Sequence, residues 1–281
     1  MEMNSGRIDQ TGHFEIDNVA PGRYLLQTRA GMGGGGRGGG ARNGGEFGRM
    51  DIAVGNEDLN GVVVVTAPGA RLAGRVVTDT GEPASFPSQQ LMVMTQPAEL
   101  SPNSLGAGGS IARVNDDWTF ELSNLIDPGY FRVRVAKGWT LDAVYLDGAD
   151  VTDTAVTLPP GQARGGLEIV ISEKIGTLSG LVKDDRGNPI LDATILVFPD
   201  DDALWMFQSR FIKAARPDQD GHYTIEGLTA HRAYLAVAVQ GLEDGQAGDP
   251  DFLRSVTSSA VRFSLGKGES KNVDIEIATK R

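Results

Sequence analysis

His13, His222 and His231 are the only imidazoles in this chain of 281 residues. A His-based triad or a zinc site needs partners gathered at one point in space. His13 and His222 stand beside Phe14 and Tyr223 in stretches of period-two alternation, which points them away from the core and into solvent. Catalysis through them is not expected. There is no cysteine, which excludes disulfides, thiolate metal sites and a thiol nucleophile.

Acidic residues offer more. Asp200, Asp201 and Asp202 share one loop, and Asp218-Gln219-Asp220-Gly221 forms a turn further on. The D-x-D-G order matches part of a calcium loop, with Asp218 and Asp220 as ligands. The bidentate Glu that would complete the loop is missing, so an Asx-type turn before a strand is the stronger reading. No cofactor is expected. The run Leu204–Phe211 carries Trp205, Phe207, Arg210 and Phe211. If exposed, these side chains could stack on a sugar ring or a peptide. A loop closing one end of a sandwich is the stronger alternative, because exposed apolar patches are the exception. The glycine-rich tract Gly31–Gly45 lacks the Lys-Ser/Thr that a phosphate-cradling loop requires, and reads as a flexible hairpin loop. No Lys–Asn cross-link is expected: the strand after Tyr234 offers no Glu, and Val77 stands where Lys183 stands in the other copy.

The elements that position these residues repeat. RLAGRVVTDTGEP (Arg71–Pro83) returns 106 residues later as TLSGLVKDDRGNP (Thr177–Pro189). DQTGHFEIDNVAPGRY (Asp9–Tyr24) returns as NDDWTFELSNLIDPGYF (Asn115–Phe131) and again as DQDGHYTIEGLTAHRAY (Asp218–Tyr234). Closing stretches follow at Gly61–Val65, Leu167–Ile171 and Val273–Ile277. Self-similarity at this period signals an array of modules. The modules fall at about 1–69 (partial, holding the Gly-rich loop 31–45), 70–173 and 174–281. Alternating apolar residues and Gly/Pro/Asn/Asp turns predict strands throughout: HFEI, YLLQTRA, MDIAV and GVVVV in the first copy alone. The fold class is all-β, as tandem Ig-like/transthyretin-like β-sandwich modules of which the first is incomplete. Val76, Phe120, Leu122, Ile169, Val182, Ile195, Val197, Tyr223, Ile225 and Ile275 should face inward. The best helical candidate is Ala203–Phe211.

Net charge is −11, from 26 basic and 37 acidic residues. An acidic surface repels phosphate backbones, so nucleic acid is not an expected partner. No apolar run approaches a spanning length, and membrane insertion is not expected. The start, MEMNSGRIDQTGHFEI, has neither the basic nor the apolar region of a signal peptide. It enters directly into the second half of a repeat, which predicts a fragment of a longer protein.

The pattern G-x-V-x-D-x-x-G-x-P, then D-x-x-G-x-[FY]-x-[IL]-x-x-[LV], then P-G-x-[YF], resembles the carboxypeptidase regulatory-like domain. The opening element is present at Gly74–Pro83 and Gly180–Pro189, and the turn–strand element is clearest at Asp9–Tyr24. The second copy departs with Trp118 for the turn glycine, the third with Ala230-His231 for Pro-Gly. The resemblance implies a transthyretin-like sandwich and no peptidase activity. It implies an exported bacterial protein: extracellular, cell-surface or periplasmic. The expected function is a non-enzymatic structural or interaction segment, partnered by other domains of a longer chain or by other subunits. The alternatives are a carbohydrate- or peptide-binding module and a strand-exchanging assembly subunit.

Overall fold

The computed structural model describes residues 4–30, 46–98, 109–184, 186–206 and 209–278. Two compact units divide the chain: Met1–Val76, Pro87–Arg134 and Val144–Glu168 make one, and Val77–Phe86, Val135–Ala143 and Ile169–Arg281 the other. The architecture is all-β.

In the first repeat copy β1 (Gly22–Ala30) pairs antiparallel with β2 (Glu46–Val54), and β2 with the two-residue β3 (Ala67–Pro68). HFEI is reduced to an isolated bridge, Ile8 to Phe14. GVVVV is not a strand. Its equivalents in the other copies pair beside an opening strand, and no opening strand is present beside Gly61–Val65 among the described residues.

The second copy supplies β4 (Ala70–Thr78), β5 (Met92–Pro97), β6 (Ile111–Arg113), β7 (Thr119–Leu125) and β8 (Gly129–Arg134). After them come β9 (Thr140–Leu146), β10 (Ala149–Asp150) and β11 (Ala163–Ser172). These form two sheets, ordered β10-β9-β11-β4-β7 and β6-β5-β8. Period-two alternation puts Leu72, Val76, Phe120, Leu122, Leu167 and Ile169 inside. Gly74 is required by packing. A Cβ there would lie 2.6 Å from both Phe120 Cζ and the Leu167 carbonyl oxygen.

The third copy contains β12 (Gly176–Lys183), β13 (Ala193–Pro199), β14 (Lys213–Ala215), β15 (His222–Leu228) and β16 (Ala233–Gln240). A helix, α1 (Pro250–Val256), precedes β17 (Val261–Ser264), β18 (Ser270–Asn272) and β19 (Ile275–Ala278). β19 runs parallel to β12 at its start and to β16 at its end, joining the two faces around one core. That core holds Leu178, Val182, Ile195, Tyr223, Ile225 and Tyr234. β13 and β16 are buried on both sides. Leu196, Phe198, Leu235, Val237 and Val239 make a second core with Trp205 and Leu253. The sequence shows this as near-continuous apolar runs, TILVF and YLAVAV, in place of strict alternation.

The helix is a correction to the sequence reading. It lies at Pro250–Val256, whereas the described residues of Ala203–Phe211 show a 3-10 turn at Asp202–Leu204 and no α-helix. The local chemistry is clear in hindsight. The Asp249 carboxylate accepts from the Asp251 amide at 2.9 Å, Pro250 opens the first turn, and Leu253 is fully buried. Seven residues are too few to display a 3.6-residue period. All ten residues expected inside are buried, none more than 4% exposed.

Candidate functional site

The carboxylates proposed for metal binding sit in turns. Asp218 Oδ1 accepts from the amides of Asp220 and His222, each at 2.9 Å, while the Asp218 amide donates to the His222 carbonyl at 2.8 Å. Asp9 Oδ1 does the same with Thr11 (2.8 Å) and His13 (3.0 Å). Asp184 does it with Arg186 (2.9 Å) and Asn188 (2.8 Å), and Asp117 accepts from the Thr119 amide at 3.1 Å. A left-handed residue completes each turn: Gly12, Trp118, Gly187 and Gly221. Trp118 holds φ +64 where the other turns have glycine, as its place in the repeat requires. Asp218 and Asp220 gather no further ligands, and among the described residues no cluster of three His, Asp or Glu side chains could hold a metal.

The aromatic run is placed inside. Trp205 is 7% exposed, meets Phe198 edge-on at 5.5 Å, and donates its indole N–H to the Pro199 carbonyl at 2.7 Å. Phe211 is 2% exposed. Arg210 and Arg232 place their guanidinium carbons 4.5 Å and 4.3 Å from the Phe211 ring centroid. Arg210 also reaches Thr229 Oγ1 at 3.4 Å. Burial, helped by the charge on Arg210, pushes the neighbouring Lys213 ammonium below its ordinary value. Phe207 and the Gly-rich tract 31–45 lie outside the described residues. The structure therefore brings Trp205 and Phe211 to separate cores and leaves neither ring open to stack on a sugar. The three histidines are exposed, with His222 at the start of β15 and the other two outside strands.

One charged cluster was not legible in the sequence. The Asp79 carboxylate, with its side chain 8% exposed, is met by Lys267 at 3.1 Å and Lys174 at 3.3 Å; Lys267 also holds Asp142 at 2.9 Å. Desolvation pushes Asp79 up, but hydrogen bonds from Lys267, Ser172 and Lys174 together hold it below its ordinary value. Asp79 was visible as a motif residue; Lys174, Lys267 and Asp142 belong to no motif. Another ion pair joins Lys183 to Asp274 at 3.2 Å. Asp274 is held low by the Leu181 amide first and by Lys183 second.

These shifts fix the pH response. Asp9, Asp79, Asp117, Asp184 and Asp274 all have folded values below 3.8. A depressed carboxylate stabilises the fold above its unfolded value and loses that stabilisation as pH falls through the lower folded one. The melting temperature should thus hold steady from neutral to mildly acidic pH and fall once pH drops below 3.8. Asp79→Asn should lower the neutral-pH value and flatten the acid limb. Thermal unfolding followed by circular dichroism against pH reads both; a loss of stability above pH 5 (roughly one unit above the ordinary carboxylate range) would contradict this assignment.

One depression has a volume of about 550 Å³ and is lined by glycines, Gly74, Gly148, Gly165 and Gly166. Its charged groups, Arg75 and Glu168, neutralise each other at 2.6 Å. No nucleophile–base pair lines it.

No family model and no curated protein matches this chain. Among solved structures, a Streptococcal ancillary pilin aligns over 96% of this chain and 79% of its own at 14% identity, with a TM-score of 0.30. The Bacillus anthracis TIE protein aligns over 96% of this chain and 48% of its own at 12% identity, TM-score 0.26. The shaft pilin SpaA of Lactobacillus rhamnosus GG aligns over 77% of this chain and 100% of its own at 12% identity, TM-score 0.27. Likeness at these scores carries no argument about what this chain does.

Proposed function

We propose that the chain is a non-enzymatic structural or interaction segment of a bacterial surface or secreted protein. Its repeats, at about 1–69, 70–173 and 174–281, are modules of carboxypeptidase regulatory-like ancestry, partnered by other domains of a parent chain or by other subunits. The observation that carries this reading is how the recurring polar residues are used. Asp9 and Asp218, equivalent in the first and third copies, accept backbone amides on Oδ1, and in the second copy, where Asn115 stands at that position, Asp117 accepts the Thr119 amide, so these polar residues are used to hold turns. An extracellular, cell-surface or periplasmic location accords with the family resemblance; among the described residues no helix is long and apolar enough to cross a membrane. The carbohydrate-binding alternative is weakened by the burial of Trp205 and Phe211.

The test is a ligand screen of the intact chain: a glycan array, and thermal unfolding with and without calcium. The expected result is no specific glycan and no calcium-dependent rise in melting temperature. A glycan that binds specifically and is lost in Trp205→Ala, with the fold intact by circular dichroism, would overturn the structural reading in favour of a carbohydrate module.

A further inference from the structure

The third copy carries a cluster of positive charge that its repeat does not require. Arg210, Phe211 and Lys213 lie at and just before the start of β14. Arg232 lies where this copy departs from the repeat's Pro-Gly with Ala230-His231. The guanidinium carbons of Arg210 and Arg232 stand 4.5 Å and 4.3 Å from the centroid of one ring, that of Phe211. Both charges also act on the Tyr234 hydroxyl, and Arg210 acts on the Lys213 ammonium. Thr229 joins them: its Oγ1 is 3.4 Å from Arg210, and its amide donates to the Tyr234 hydroxyl at 3.0 Å. Three cations and two hydroxyls therefore gather around Phe211.

This charge is not balanced within the fold. Arg232 Nε is enclosed and has no acceptor, and neither Arg232 nor Lys213 has an ion-pair partner, among the described residues. Both side chains are half-buried. Burial and the like charge of Arg210 push Lys213 below its ordinary value, with no carboxylate to offset them. An edge-strand lysine is commonly a solvated guard against strand pairing. β14 does end its sheet, but its lysine is drawn in beside the arginines. Like charges held partly out of water destabilise a fold unless something pairs them. Elsewhere in this acidic chain Arg49, Arg75, Lys183 and Arg262 each have a carboxylate within 3.2 Å.

We infer that Arg232, Lys213 and Arg210 form a receptor for a carboxylate, the Asp or Glu side chain of an acidic segment on a partner polypeptide. The inference rests on reading the chain as an interaction segment and gives its partner a chemistry. The guanidinium groups offer forked donors to a carboxylate, Lys213 supplies a point charge, and the Thr229 hydroxyl a further contact. Partial dehydration makes such pairs stronger than at an open surface. A phosphate polymer would meet the same cations, but the net charge of −11 would repel it along its whole length.

The experiment follows the Arg232 Nε–H resonance by NMR in the full chain, titrated with end-blocked tetraglutamate at constant ionic strength. The expected result is a saturable shift that end-blocked tetraglutamine does not produce. By calorimetry, Lys213→Met should weaken tetraglutamate binding at least about tenfold, and Arg232→Lys, which keeps the charge and loses the fork, by a similar factor. Because Lys213 is an unbalanced charge, Lys213→Met should leave the melting temperature of the free protein unchanged or raise it. Absence of a saturable shift would overturn the proposal. So would a lower melting temperature in Lys213→Met, which would make the lysine a support of the fold. An equal shift with inorganic phosphate would overturn it too, by assigning the cluster to phosphate. The glycan screen is read through Trp205 and this titration through Arg232, so either reading can fail alone.

Discussion

Phe120→Ala should cost about 3–5 kcal/mol in unfolding free energy, while Phe14→Ala should cost about 1 kcal/mol or less. The two residues are the same type at the same place in the repeat. Phe120 is 2% exposed and the tip of its ring lies against Gly74, so truncation leaves a buried cavity. Phe14 is partly exposed, and among the described residues before Ala70 no apolar side chain is fully buried. Urea unfolding of the two variants reads the difference directly. Equal losses would mean that the first copy is as closed as the second.

Gly180→Val should be as damaging, at about 3 kcal/mol or more, above the usual cost of an overpacked site. The added Cβ would meet the Val273 carbonyl oxygen inside contact distance and Tyr223 Cε1 at 3.1 Å. That carbonyl is fixed twice, by the Tyr223 hydroxyl, which donates to it at 2.6 Å, and by the Val273 amide, which donates to the Ser179 carbonyl at 2.8 Å. β12 is also hydrogen-bonded to β15, β18 and β19, so it has nowhere to move. Gly55→Val is the control. Nothing lies within 4 Å of its Cβ position, and it should change stability by no more than about 0.5 kcal/mol. Chemical denaturation midpoints of the two variants test this; similar midpoints would show that β12 tolerates displacement.

The period of the repeat and the alternation of apolar residues carried the all-β class and the inward set from Val76 to Ile275. Val76, Phe120, Leu122 and Ile169 recur one repeat later as Val182, Tyr223, Ile225 and Ile275, while Ile195 and Val197 rest on their own apolar run. The Asp9 and Asp218 turns were legible for the same reason; Asp117 and Asp184 were not, because Thr11 and Thr78 stand at their equivalents one repeat earlier. What the sequence hid depends on long-range contact. The helix at Pro250–Val256 occurs in one copy only and covers a second face of β13 and β16 that the alternating pattern does not encode. The Asp79, Lys174, Lys267 and Asp142 cluster joins residues up to 188 positions apart (Asp79 to Lys267) with no shared motif. GVVVV reads as a strand because its composition is that of one; among the described residues no strand pairs with it. A left-handed position also recurs: Asn18 and Asn124, with Gly227 one repeat further on, all hold positive φ, and Asn or Gly at that point is its signal in the sequence.

The central claim is that one repeat is present in two closed copies and one open copy. Amide hydrogen exchange on the intact chain, followed segment by segment, tests it most directly. The account predicts that amides of Phe120–Leu125 and Tyr223–Leu228 exchange at least about two orders of magnitude more slowly than those of Phe14–Val19 and Gly61–Val65. Protection of Phe14–Val19 equal to that of Phe120–Leu125 in the free chain would contradict the account.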